Sequence, residues 1–221
     1  MRLKILSLLI FLCCSTTLSA QELEIDLSEK YNGNSIKAHN RVIKLSEEGS
    51  GAVEMDARPG DGLGLIEGVI FTKGILEIEI KGENNPGRSF VGIAFNIQND
   101  STFEAVYFRP FNFVAEEQIR KDHMLQYIHH PEYTWKKLRE SRTGEFENEI
   151  KTPPNPTDWF RVRLEIEDTR VTAYVNGSDT ASLEVDRLTS HKSDQIGLWT
   201  GFNSAGKFRN LKISAFSKEE K

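Results

Sequence analysis

A chain of 221 residues with 38% hydrophobic side chains is long enough to bury a core without covalent staples. Its formal charge of −5, with no basic stripe, argues against nucleic acid or an anionic membrane surface as partner, since both need clustered Lys and Arg. Its two cysteines, Cys13 and Cys14, fall within the first twenty residues, so no disulfide is expected beyond them.

Residues 1–20, MRLKILSLLIFLCCSTTLSA, place Arg2 and Lys4 before an apolar run and end in Leu18-Ser19-Ala20. That is the arrangement of a secretory signal peptide, with cleavage expected before Gln21. The remaining chain would carry 26 basic against 33 acidic side chains, a charge of −7. Acylation at Cys13 or Cys14 is the alternative, disfavoured by the bulky residues just before them. Export without disulfides suits a periplasmic, cell-surface or secreted protein. Membrane insertion is not expected, because no later stretch approaches the roughly 18 apolar residues of a spanning helix. Residues 21–216 read as one domain and 217–221 as a charged tail, with the oligomeric state left open.

Short apolar runs at 41–45, 52–55 and 65–71 read as strands. The glycines of PGDGLG, 59–64, precede a strand rather than a helix and so read as a turn, not a phosphate loop. Alternation is clear in 74–81 (GILEIEIK), 91–97 and 105–108. With Val106 and Phe108 taken as the core face, Tyr107 and Arg109 project from the other side as a candidate ligand platform, with Asn112 just beyond. The competing reading pairs Arg109 with a neighbouring strand and packs Tyr107 under the segment that follows.

Alternation vanishes between 111 and 135. Residues 114–125 (VAEEQIRKDHML) suggest a short helix with Val114, Ile119 and Leu125 as a thin apolar stripe, serving as a spacer. The loop that follows, QYIHHPEYTW, gathers Gln126, His129, His130, Glu132, Tyr133 and Trp135. Aromatic rings stack on the apolar faces of sugars while planar polar side chains bond their hydroxyls, so this composition suits a carbohydrate groove. Adjacent histidines on an extended strand point to opposite faces, so only one could join Glu132, and no metal site is predicted. No cofactor is expected, with a structural calcium at a loop left open. His130 and Glu132 are the candidates for acid or base work.

Residues 140–158 are polar and then proline-rich (TPPNPTD), a surface excursion that returns to the strongest hairpin of the chain. There Val162, Leu164 and Ile166 alternate with charges, Asp168-Thr169 turns the chain, 171–175 runs back, and Asn176-Gly177 closes the strand. Runs at 182–185, 195–199 and 208–216 complete about ten to twelve strands. An open sheet of that width would leave one face unburied, so an all-β, two-sheet antiparallel sandwich of jelly-roll topology is expected, interrupted by one short helical or loop excursion. Trp159 and Trp199 read as core or sheet-edge aromatics. No nucleophile elbow, zinc-protease helix or Walker loop is present.

The segments FTKGILEIEIKG, SFVGIAFNI, VYFRPFNF, QYIHHPEYTW, DWFRVRLEIEDTRVTAYVNG and IGLWTGFNSAGKFRNLKI resemble exported bacterial proteins of the concanavalin A-like lectin and glucanase superfamily. Within it the chain looks most like the LamG-like jelly rolls related to the 3-keto-disaccharide hydrolase domain. The resemblance implies two curved antiparallel sheets, with ligands held on the concave face or by loops at its rim. Carried onto this chain, it favours Tyr107, Arg109 and Asn112 with Gln126, His130, Glu132, Tyr133 and Trp135. The paired-acid motif E-x-D-x-x-E of laminarinase-type glucanases is missing, because Glu77-Ile78-Glu79 continues as Ile80-Lys81-Gly82, which speaks against retaining glycosidase chemistry of that kind. Three functions follow as expectations: a domain that binds an oligosaccharide or glycoconjugate, a glycoside-cleaving enzyme using His130 or Glu132 with Arg109 steadying developing charge, or a non-catalytic protein interaction module of the cell envelope.

Overall fold

The computed structural model describes residues 22–49 and 51–216, so the signal peptide and charged tail expected from the sequence lie outside the described residues. In chain order the strands are β1 (Leu23–Ile25), β2 (Ile36–His39), β3 (Ile43–Leu45), β4 (Val53–Met55), β5 (Gly62–Ile66), β6 (Gly74–Lys81), β7 (Val91–Asn99), β8 (Thr102–Phe108), β9 (Leu125–His130), β10 (Glu147–Asn148), β11 (Phe160–Ile166), β12 (Arg170–Val175), β13 (Leu183–Asp186), β14 (Gly197–Thr200) and β15 (Gly206–Ser214). Three short helices, α1 (Leu27–Asn32), α2 (Gln118–Lys121) and α3 (Trp135–Ser141), sit in the connections. Asp26 starts α1, its Oδ1 accepting the backbone N–H groups of Ser28 (2.8 Å) and Glu29 (3.1 Å) that the first turn leaves unpaired.

The first sheet runs β13-β12-β11-β6-β15-β4-β3, with β1 also on β15, and the second runs β10-β9-β8-β7-β14-β5-β2. Period-two alternation explains why they stack. β11 buries Phe160, Val162, Leu164 and Ile166 in register with Ile80, Ile78, Leu76 and Gly74 of β6, toward Ile93, Val106 and Phe108 of the second sheet. Phe108 and Phe160 meet edge to face across the interior, ring centroids 5.2 Å apart. The intervening positions carry charge, and Arg209 donates to Glu79 at 2.7 Å on the outer surface of the first sheet. Glu77 and Glu79 therefore face away from the second sheet. At the end of the expected hairpin, Asn176 and Gly177 take φ of 51° and 73°, and Asn176 Oδ1 accepts the Arg161 N–H at 2.9 Å.

One polar cluster interrupts the apolar interior. Glu104, 0% exposed, stands on the core face of β8. Arg187, just beyond β13 in the first sheet, donates to it through Nε (3.0 Å) and Nη2, while Tyr127 Oη and Asn96 Nδ2 each donate at 2.6 Å. A buried carboxylate is tolerable only when its lone pairs are met this way, and meeting them here ties the two sheets together.

Two sequence expectations need correction. Residues 114–125 do not form one helix: only Gln118–Lys121 is helical, Val114 and Ile119 are exposed, and Leu125 opens β9. Spacings of five and six residues do not share a face at 3.6 residues per turn, so the supposed stripe never existed. Gln126–His130 is not a rim loop but part of β9, hydrogen-bonded between β8 and β10. Its two faces, Leu125-Tyr127-His129 and Gln126-Ile128-His130, each mix polar with apolar residues, which masks the alternation. Among the described residues no helix is long and apolar enough to cross a membrane.

Candidate functional site

The site lies on the face of the second sheet turned away from the first. Register places Gln126, Tyr107, Gly92, Trp199 and Leu63 in one row across five strands. A Cβ on Gly92 would sit 2.7 Å from the Tyr107 Cβ and 2.3 Å from the Val106 carbonyl oxygen. With that space free, the Tyr107 ring leans across Gly92 to meet Trp199, centroids 4.9 Å apart. The next row is Ile128, Ala105, Ala94, Gly197 and Leu65.

This sheet is a trough. Asp61, just before β5, has Oδ2 3.5 Å from Nδ1 of His130 at the end of β9, although three strands separate β5 from β9. Four strand spacings in a flat sheet come to about 19 Å, beyond what an aspartate and a histidine side chain span together. Part of the trough is filled by its own apolar residues, with Leu63, Ala94, Phe103, Ala105 and Ile128 all buried. What remains open is a groove of about 650 Å³ with Tyr107 and Trp199 on its floor. Half-exposed Trp135, at the start of α3, and Phe202 stand among its lining residues.

The turn bearing Asp61 is fixed from behind. Arg41, buried, donates to the carbonyls of Gly60 (2.8 Å) and Gly201 (2.7 Å) and to Thr200 Oγ1 (2.7 Å), and Asn40 Nδ2 bonds the carbonyls of Pro59 and Asp61. At the other side Arg109 donates to Tyr107 Oη, to Gln126 Oε1 and to the His123 carbonyl (2.9 Å). Beyond it Glu147 accepts from Arg139 Nε and Nη2 at 3.0 and 2.6 Å. His123 Nδ1 lies 2.9 Å from the same carboxylate but out of line for a hydrogen bond.

Tyr107 and Arg109 do share the face opposite Val106 and Phe108, but they form a floor, 2% and 5% exposed, rather than an open platform. Gln126, Tyr107 and Arg109 are hydrogen-bonded to one another, Asn112 sits at the lip with Oδ1 taking Arg120 Nε at 3.2 Å, and His130 and Trp135 line the groove. Tyr133 instead packs beside His129, and Glu132 is exposed outside the groove lining. The two histidines diverge as neighbours on a strand must, His129 toward Glu104 and His130 toward Asp61. Sequence reading missed Asp61, taken as part of a turn, and His123 and Arg120, taken as part of a spacer. It also set aside Trp199, although alternation from buried Leu198 would have put it on the Tyr107 face. Among the described residues no three His, Cys, Asp or Glu side chains converge as metal ligands would.

Burial governs the titration of the site. It raises the pKa of Asp61 and lowers that of His130, with their mutual attraction opposing both shifts, and it pushes Tyr107 up to about 12. Burial also lowers His123 and His129. A histidine depressed in the folded state binds its proton later than the unfolded chain does, so its contribution to stability is full above about pH 6.5 and is lost as pH falls. Asp61 acts in the opposite sense, its contribution fading as pH rises through its raised value, and so blunts the effect of three imidazoles. Glu48 and Asp168, each held at about 2 by two lysines, titrate below this window. The urea midpoint should therefore be lower at pH 5.0 than at pH 7.5, and His129→Leu should narrow the gap; equal midpoints in the parent chain would contradict this account.

No protein-family model and no curated protein matches this chain. Solved structures do match. The chain is similar to the carbohydrate binding module CBM66 from Bacillus subtilis, with 15% identity over 81% of this chain and 96% of that one and a TM-score of 0.58. It is also similar to a protein of unknown function with a galectin-like fold from Bacillus subtilis, at 11% identity, 89% and 98% coverage and a TM-score of 0.57. The Bacillus licheniformis β-glucanase matches at 10% identity over 91% of this chain and all of that one, TM-score 0.51. At such identities the likeness is one of architecture, and the architecture is the concanavalin A-like jelly roll expected from the sequence.

Proposed function

We propose that this concanavalin A-like jelly roll is an exported, carbohydrate-associated domain that binds a saccharide in the groove over Tyr107 and Trp199. The observation that carries the reading is the groove itself: about 650 Å³, floored by a tyrosine–tryptophan pair and lined at its edge by half-exposed Trp135 and Phe202. A sugar ring offers an apolar face to such rings and hydroxyls to the polar groups beside them. A carbohydrate-binding module and a glucanase among the structural neighbours support the same class of ligand. Export rests on the amino-terminal segment alone. Titration calorimetry of the full chain against plant and bacterial oligosaccharides tests the proposal, and heat from none of them would end it.

One observation favours turnover as a second reading. The Asp61–His130 pair places a carboxyl and an imidazole together on the groove, each shifted toward its neutral form by burial. They would serve as acid and base in cleaving a glycosidic bond with water, the activity suggested by the likeness to 3-keto-disaccharide hydrolases. Glu132, outside the groove, has no part in this version. On incubation with 3-keto-glucosides, release of the free sugars should disappear in Asp61→Asn and in His130→Ala but persist in Glu132→Gln. The reverse pattern would return the chemistry to Glu132.

A further inference from the structure

Donors and acceptors are out of balance where β8 leaves the sheet. The side-chain acceptors there are already used. Gln126 Oε1 takes Tyr107 Oη at 2.8 Å and also Arg109. Glu147 takes two bonds from Arg139, and Asn112 Oδ1 takes Arg120 Nε. Donors remain. Arg139 spends Nε and Nη2 on Glu147, while Arg120, with Nη2 on the Phe111 carbonyl at 3.2 Å and Nη1 3.6 Å from Glu117 in solvent, stays partly exposed at the lip with guanidinium hydrogens to spare. The carboxylate left facing the groove is Asp61, beside His130.

A neutral sugar hydroxyl donates as well as accepts, and a site built for it must supply free acceptors. A carboxylate or sulfate ester only accepts, and planar guanidinium groups match it best. Three arginines, Arg109, Arg120 and Arg139, converge on this groove in a chain whose net charge is −5. We propose that the ligand is an acidic saccharide, its anionic group docked at Arg120 and Arg139 and its rings lying over Tyr107 and Trp199. The proposal rests on the saccharide reading above and assigns the charge of the ligand.

Calorimetry on the full chain with three probes separates the cases: an oligogalacturonate, the same oligosaccharide as its methyl ester, and a sulfated neutral oligosaccharide. The free acid should bind about tenfold or more tightly than its ester, the size of effect one charge-assisted contact gives, and added salt should weaken it. Sulfate-ester binding equal to or above that of the free acid would place a sulfate rather than a carboxylate at the arginines. Arg120→Gln should cut the acid-to-ester ratio by about threefold or more. Arg139→Gln should cut it further, but that variant also frees Glu147, so the half-exposed Arg120 provides the test that leaves the buried carboxylate paired. Equal binding of acid and ester, with neutral oligosaccharides also bound, would overturn the anionic assignment and leave the saccharide reading standing. Binding of no saccharide, charged or neutral, would overturn both.

Discussion

Arg187→Met should lower the unfolding free energy by about 3–5 kcal/mol, the usual cost of stranding one member of a buried ion pair. The reason is the position of Glu104, fully enclosed between the sheets with Arg187 supplying two of its donors. Tyr127 and Asn96 would remain, but two neutral donors do not replace a guanidinium in an apolar surround. Adding Glu104→Gln to the same chain should recover part of the loss, because no charge is then left behind. Urea denaturation of the four proteins of this cycle measures both the cost and the coupling. A loss below about 1 kcal/mol for Arg187→Met would mean that water reaches the cluster and that it does not hold the sheets together.

The second large effect is expected at the groove floor. Trp199→Ala should remove saccharide binding and cost about 3–5 kcal/mol of stability, since a nearly buried indole is lost from beneath Tyr107. Trp199→Phe separates the two roles. It keeps an aromatic floor with a smaller face for the sugar, and affinity should fall by less than in the alanine variant with most of the stability retained. Calorimetry and urea titration on the same preparations decide it. Affinity lost as fully in the phenylalanine variant as in the alanine one would show that an aromatic floor alone does not hold the sugar.

Much of this architecture was legible in the sequence because the signals are local. Strict alternation in β6, β11 and β12 dictates which side chains go inward, and the Asn176-Gly177 turn needs no partner from elsewhere. The assignment of Tyr107 and Arg109 to the face opposite Val106 and Phe108 followed from the same rule. The divergence of His129 and His130 followed too. What alternation cannot express is curvature. It gives the face of a strand but not whether that face is open, half filled or folded toward another strand, so the burial of Tyr107 and the meeting of Asp61 with His130 were out of reach. The missed residues share this cause: Asp61, Arg120 with His123, and Trp199 come from three separate parts of the chain. They become neighbours only once the second sheet has bent.

That bend has a compositional origin. On the inner surface of the middle strands stand Gly92, Ala94, Ala105 and Gly197, while the same strands carry Val91, Ile93, Phe95, Val106, Phe108 and Leu198 on the side facing the first sheet. A layer with thick outer and thin inner edges closes like the stones of an arch. The curvature that opens the cleft thus owes part of itself to residues with nothing to offer a ligand. A single methyl group added at Gly92 would meet the Val106 carbonyl and the Tyr107 backbone, so the cleft could take it only by shifting its own floor.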